Sequence, residues 1–178
     1  MTSLEAAVDE VLRGNTAAFQ RVVDATSTRL VRLSARILGS VIDAEDVVQD
    51  AYVKAYRSLV DGQFDRRSTI ETWLYRIVVN GSIDAKRRRR HAASADDEAV
   101  AAAWDTRASA EERVALQELA AWIDELPEEQ QAVLVMKAIE GLSSAEIAGI
   151  LRCSEGAVEQ RLVRARAALR DRRRGHEG

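Results

Sequence analysis

The sequence predicts an all-α chain: two small helical domains joined by an acidic linker, the C-terminal one a helix-turn-helix. Three observations lead there. Apolar residues recur at three- and four-residue spacing along most of the 178 residues, with no alternating stretch that reads as a strand. One proline, Pro127, leaves long helices uninterrupted. Aromatic residues make up only 4% of the chain, so its core must be built mainly from Ala, Val, Leu and Ile. The length suits one compact domain or two of about 60–90 residues each.

Each element follows from its own pattern. Leu4, Ala7, Val8, Val11 and Leu12 form one stripe of a short amphipathic helix, ended by Gly14 and Asn15. Phe19, Val22, Val23, Leu30, Leu33 and Ile37 carry a long second helix to Gly39. Asp43 is the expected N-cap of a third, burying Val47, Val48, Ala51, Tyr52, Ala55 and Leu59 before Asp61-Gly62 breaks it. Ser68 and Glu71 have capping-box spacing, and Ile70, Trp73, Leu74 and Ile77 follow on a fourth helix that runs into Lys86–Arg90.

Residues 91–108 read as the linker, small, polar and acidic, with a brief helix possible over Ala99–Trp104. The second domain, 109–178, opens on another capping box, Ser109 with Glu112, and buries Leu116, Leu119, Ile123 and Leu126. Pro127 fits the first position of the next helix, lined by Val133, Leu134 and Ile139 and followed by Gly141. Ser143 and Glu146 form a third capping box before Ile147, Ala148, Ile150 and Leu151. After the tight turn Arg152-Cys-Ser154, Ser154 caps a longer helix with Val158, Leu162, Ala165 and Leu169 on its buried face.

Short helix, three-residue turn and longer Arg-bearing helix give the outline of a helix-turn-helix. The exposed face of its second helix offers Glu155, Ala157, Gln160, Arg161 and Arg164 to base edges or phosphates. The alternative is a helical hairpin packed for stability alone.

The net charge of −3 hides a segregation. Residues 66–90 balance to +6 and residues 155–174 to +4, whereas 96–129 balance to −9. Two basic zones on an acidic chain point to two places that meet a polyanion, against the plainer reading of solvated helix faces.

Other classes find no support. No segment approaches the roughly 20 apolar residues that cross a bilayer. The acidic N-terminal stretch is unlike a basic leader peptide, and Cys153, the single cysteine, excludes an internal disulfide. A soluble cytoplasmic protein is expected. His91 and His176 stand far apart without a ligand cluster, so neither metal nor cofactor is expected. No Walker loop, nucleophile motif or metal-linked carboxylate pair suggests an enzyme.

Three ordered segments carry a family resemblance. Asp43-Ala-Glu-Asp-Val-Val-Gln-Asp-Ala-Tyr-Val-Lys-Ala-Tyr-Arg57 resembles region 2.2 of bacterial sigma factors. Thr72-Trp-Leu-Tyr-Arg-Ile-Val-Val-Asn80 and the following Arg run resemble regions 2.3 and 2.4. Leu126–Leu134, Glu140–Ala148 and Val158–Leu169 are similar to region 4. Order, spacing and acidic linker are those of the extracytoplasmic-function (ECF) group of the sigma-70 family, over roughly residues 15–172.

The resemblance implies a non-enzymatic initiation factor that binds core RNA polymerase at the β′ clamp and β flap, directs it to promoter DNA and serves stress responses. Asp46, Gln49, Asp50 and Lys54 match positions that meet the clamp. Residues 1–90 would be domain two, whose minus-ten surface would hold Phe64, Ser68, Trp73, Arg76 and Asn80, with Lys86, Arg87 and Arg88 on phosphates. Trp73 fits a core-packing role as well as a DNA contact. Domain four would place Ser154, Ala157, Glu159, Gln160, Arg161 and Arg164 at the minus-thirty-five element. A separate anti-sigma factor would supply control. Two departures stand out: Glu159-Gln160 where the family commonly has Lys-Ser, and Arg152 where a glycine is frequent. Cys153 is common at its place, which implies a small buried residue. A sigma-mimicking protein that sequesters an anti-sigma factor without binding promoter DNA is the alternative.

Overall fold

The structure, a computed structural model, describes residues 3–92 and 110–176. Among them the chain forms eight α-helices and no strand: α1 Ser3–Leu12, α2 Phe19–Leu38, α3 Val41–Val60, α4 Ile70–Ala92, α5 Ala110–Asp124, α6 Glu128–Ala138, α7 Ser144–Leu151 and α8 Glu155–His176. A 3-10 turn over Thr16–Ala18 joins α1 to α2.

The first four helices form a bundle. Val22, Leu30, Leu33 and Ile37 of α2 meet Val48, Ala51, Ala55 and Leu59 of α3 and Leu74, Val78 and Val79 of α4, all buried. Alanines at 51 and 55 keep the α3 ridge low, and larger side chains on α2 and α4 fill the space. Fully burying each Leu, Ile or Val contributes about 1.5–3 kcal/mol. One buried polar pair crosses this core: the Ser34 and Ser82 hydroxyls lie 2.8 Å apart, and Ser82 also donates to the Val78 carbonyl.

The last three helices pack around Val133, Met136, Ile147, Ile150, Val158, Leu162 and Ala165. The two halves are in contact. Helices α2 and α4 pack on α6, α4 also packs on α7, and one apolar cluster runs from α1 to α8.

Several local expectations need correction. The α3 N-cap is Ser40, whose hydroxyl accepts from the Asp43 N–H, so α3 starts two residues before Asp43. At α4 the cap bond comes from Thr69, which accepts from the Thr72 N–H, and not from Ser68. Pro127 is itself the N-cap of α6, with the extended ψ of 140° that a non-helical cap adopts. Helix α4 continues through Ala92, two residues into the expected linker. Leu12 is 42% exposed despite its apolar spacing, and Val47, Tyr52, Leu116 and Leu119 are only half-buried. The brief helix over Ala99–Trp104 and the Ser109 capping box lie outside the described residues.

Candidate nucleic-acid interface

The solvent face of α3 comes first. Asp46, Gln49, Asp50 and Lys54 are all exposed. Three large apolar residues share that exposure, Ile42 at 75%, Val53 at 46% and Val60 at 57%. Ile42, Asp46, Gln49, Val53 and Val60 repeat at helical spacing, so they form one mixed stripe opposite the core. The apolar members were missed from sequence. The signal was there: they fall out of register with the buried row Val48, Ala51, Ala55 and Leu59.

Between α3 and α4 runs a groove of about 620 Å³. It is lined by Asp50 and Lys54 from α3 and by Trp73, Arg76, Asn80 and Arg88 from α4. Residues expected to touch two different partners thus share one surface. The Asn80 amide donates to the Arg76 carbonyl at 2.9 Å, leaving its oxygen and second N–H for a base edge. Phe64 and Ser68 do not join this groove. They face a smaller hollow against α1, which Glu5 and Asp9 also line. Phe64 connects the two places, its ring centroid 4.8 Å from that of Trp73. In the same loop Arg66 has a left-handed φ of 56° and is ion-paired to Asp9.

The basic end of α4 divides by residue. Arg88 lines the groove, and among the described residues it has no ion pair. Arg87 reaches Asp84 and Glu129, both at 3.7 Å. Arg89 closes the α2–α3 corner, pairing with Asp43 at 3.1 Å and donating to the Leu38 carbonyl. Arg90 pairs with Glu128 at 3.1 Å and donates to the carbonyls of Asp124 and Leu126.

Lys86 departs from its expected role: it is 1% exposed, so in this conformation it presents nothing to a phosphate. Its ammonium has three acceptors for three N–H groups, the Ile37 carbonyl at 3.1 Å, Asp124 Oδ1 at 2.5 Å and the Gln131 side-chain oxygen. Burial holds its pKa below the ordinary lysine value, against the opposing pull of Asp124.

In the helix-turn-helix, α7 opens on a complete capping box. Ser143 accepts from the Glu146 N–H, and Glu146 accepts from the Ser143 N–H at 2.8 Å. The Ser143 hydroxyl also donates to the Glu146 carboxylate at 2.7 Å, and that bond first, then the Ser143 N–H, hold the exposed carboxyl below its ordinary pKa. Ser154 caps α8, accepting from the Ala157 N–H at 3.2 Å. Arg152 ends α7 with a left-handed φ of 53°, the conformation in which glycine is easiest. Its side chain lines the same α3–α4 groove.

The expected reading residues are not equivalent. Gln160 and Arg164 are exposed, Ala157 is half-buried, and Glu159 bonds to the Ser144 hydroxyl on α7. Arg161 turns back onto its own domain, pairing with Glu129 at 2.5 Å and donating to Cys153 Sγ at 3.1 Å. Val163, 61% exposed, completes the outer face and was missed from sequence because a lone valine in an Arg-rich helix has no periodic signal. Among the described residues no His, Cys, Asp or Glu group could hold a metal ion, and no helix is long and apolar enough to cross a membrane.

Comparison with known proteins assigns both halves. Residues 22–92 match the family described as Sigma-70 region 2, and residues 116–169 the family described as Sigma-70, region 4. The chain is 34% identical over 175 residues to the ECF RNA polymerase sigma factor SigW of Bacillus subtilis, covering 92% of each. The solved structure of CnrH in complex with the cytosolic domain of CnrY is similar at a TM-score of 0.68 and 30% identity, over 95% of this chain and 96% of that one. The sigma factor RpoE of Bartonella quintana, co-crystallised with the anti-sigma factor NepR, shares the fold at a TM-score of 0.67 and 23% identity, over 86% of this chain and 94% of that one. The chain therefore belongs to the sigma-70 family of RNA polymerase sigma factors, in its ECF group.

Proposed function

We propose that this sigma factor works through three surfaces. The α3 stripe of Asp46, Gln49, Asp50, Lys54 and their apolar neighbours meets the β′ clamp of core polymerase. The α3–α4 groove, with Trp73, Arg76 and Asn80, takes the minus-ten strand, and Arg87 and Arg88 hold its phosphates. Helix α8 enters the major groove at the minus-thirty-five element with Gln160 and Arg164 outermost, while the β flap receives the surrounding domain. Residues 1–90 and 109–178 act as the two functional domains. The chain performs no chemistry of its own and acts in the cytoplasm, where polymerase is.

One observation carries this reading. Asp50 and Lys54 line the same groove as Arg76 and Asn80, so a clamp seated on α3 would border the strand held by α4. The charge pattern supports it, since cations on one helix end suit a phosphate backbone whose binding is largely electrostatic. Control by an anti-sigma factor is proposed from the RpoE structure, whose partner is one.

Transcription in vitro with purified core polymerase on a promoter library tests the function. Sequence-selective initiation that depends on this chain is expected. Binding to an anti-sigma factor with no promoter-dependent initiation would overturn it in favour of a sigma mimic.

A further inference from the structure

Residues 61–69 join α3 to α4, and both ends of this segment are fixed by their chain neighbours. The Gln63 N–H donates to the Ser58 carbonyl at 2.8 Å and the Gly62 N–H to the Leu59 carbonyl at 3.1 Å. At the far end Thr69 caps α4. The middle is different. Arg66 sits at a φ of 56°, where a Cβ crowds the backbone, and a residue other than glycine stays there only when its surroundings impose it. The Asp65 carboxylate accepts from the Arg67 N–H at 3.1 Å and closes a local turn around Arg66.

Helix α1 reaches this turn from outside. The Arg66 guanidinium donates to the Asp9 carboxylate, 57 positions away in sequence. Asp9 stands on a docked helix: its neighbour Val8 is 3% exposed, and its own carbonyl accepts from Arg13 Nε at 3.0 Å. The pair is partly open to solvent, with the guanidinium 55% exposed, so its share of global stability is small. Its place in the chain gives it a second effect. Two residues before Arg66, the Phe64 ring packs on Trp73 with 4.8 Å between centroids, and Gln63 and Trp73 both line the α3–α4 groove. Holding Arg66 against α1 fixes the left-handed turn, and the turn aims Phe64 at Trp73.

We propose that Asp9 is a positioning residue for minus-ten recognition. It touches no DNA itself. Through Arg66 it holds the 61–69 segment in the arrangement that keeps Phe64 on Trp73 and Gln63 at the groove wall. Asp9 precedes residues 22–92, the stretch that matches Sigma-70 region 2, so the brace comes from outside the matched region. A segment released from α1 lets a strand enter the groove without the aligned aromatic wall. Right and wrong sequences are then held more alike, and preference falls further than affinity. The inference rests on the assignment of the α3–α4 groove to the minus-ten strand.

The test uses holoenzyme assembled from the full chain and core polymerase, on a promoter library randomised at minus-ten and fixed at minus-thirty-five. Asp9→Ala and Arg66→Ala are each expected to reduce preference for the best minus-ten sequence over the library average by about threefold. The double variant should lose no more than either alone, because both changes remove one interaction. Asp9→Glu keeps the charge and should retain most of the preference. The melting temperature of the free chain should fall by about 3 °C at most, and the salt dependence of promoter binding should not change. Wild-type preference in Asp9→Ala, or additive losses in the double variant, would overturn the brace. So would a salt slope lowered by about one unit in Arg66→Ala, which would make Arg66 a phosphate contact. A loss of preference that follows a large fall in melting temperature, and that Asp9→Glu does not rescue, would leave Asp9 a structural residue only. Each of these results leaves the groove assignment standing. Asn80→Ala tests that assignment by itself: loss of minus-ten preference is expected, and unchanged preference would overturn the groove reading and the proposal with it.

Discussion

The Lys86 ammonium lies 2.5 Å from Asp124 Oδ1, joining the fourth helix of the N-terminal half to the last residue of α5. Asp124 also explains a glycine. Gly39 ends α2 at a φ of 73°, and a Cβ there would stand 3.2 Å from Asp124 Oδ1. The left-handed turn and the close approach both favour a residue without a side chain.

The two partners are unequal, which gives the first prediction. Asp124→Ala strands a buried cation, whereas Lys86→Met leaves a carboxylate that is 30% exposed and can rehydrate. Stranding one member of a buried pair costs about 3–5 kcal/mol. Lys86 can relieve part of this by losing its proton, so Asp124→Ala is expected to cost about 2–3 kcal/mol and Lys86→Met about 1–2 kcal/mol. Urea unfolding of the full chain measures both. The opposite ranking would show that the carboxylate, not the ammonium, is the dependent partner.

Tyr75 gives a pH prediction. Its hydroxyl is buried without a hydrogen-bond partner, beside Glu140. Burial first, then the Glu140 charge, pushes its pKa well above the ordinary value of 10.0. A raised folded pKa means that the unfolded chain loses the proton first, so this group's contribution is whole below pH 10.0 and falls as pH rises beyond it. Tyr75→Phe removes an unsatisfied donor and is expected to be as stable as wild type near neutrality, within about 1 kcal/mol. Its advantage should widen above pH 10.0. Parallel stability curves for the two proteins would rule the mechanism out.

Core binding supplies a third. Gln49→Ala with Asp50→Ala, and separately Val53→Asp, alter only the exposed side of α3. Neither should change the melting temperature by much, because the residues beneath, Val48, Ala51 and Ala55, are untouched. Each is expected to weaken competition for core polymerase by about tenfold, since a few interface residues carry most of the binding energy. Competition equal to wild type would move the clamp contact elsewhere.

The helices and the motif spacing were legible because they are local. Capping by Ser143 and Ser154, the break at Asp61-Gly62 and the buried row of α3 depend on residues within a turn or two of each other. The partners of Lys86, Arg90 and Arg161 were not legible. Each meets a carboxylate more than 30 positions away, and in a chain where 31% of residues are charged no spacing singles out such a pair. A run of five basic residues reads as one surface, but the helix turns 100° per residue, and packing on α6 hides Lys86 while Arg88 stays outside. Ser40 lost to Asp43 as the expected cap for a different reason. Both residue types cap well, and only the reach of the serine hydroxyl to the Asp43 N–H decides between them.

The last prediction concerns minus-thirty-five specificity, and the structure separates residues that are neighbours in sequence. Gln160 and Arg164 are exposed and one helical turn apart, so both can face a groove together. Arg161 is engaged by Glu129 and Cys153, on the side that faces α6. Gln160→Ala is therefore expected to relax preference at one or two base pairs, by about 1–3 kcal/mol of discrimination, without loss of stability. Arg164→Ala should lower affinity for all promoters and reduce the salt slope by about one unit if it holds a phosphate, or relax one further position if it reads guanine. Arg161→Ala should behave differently, lowering the stability of the α6–α8 contact by up to about 1 kcal/mol while leaving base preference in place. Glu129→Gln should lose at least as much stability, because it removes the partner of Arg161 and of Arg87 as well. Minus-ten preference should be unchanged in all four, since α4 lies in the other half of the chain. Promoter-library selection with each variant holoenzyme, alongside thermal unfolding of the free chain, measures both effects. A change of base preference in Arg161→Ala with none in Gln160→Ala would mean that Arg161 leaves Glu129 to reach the DNA, and that the reading face of α8 is rotated toward α6.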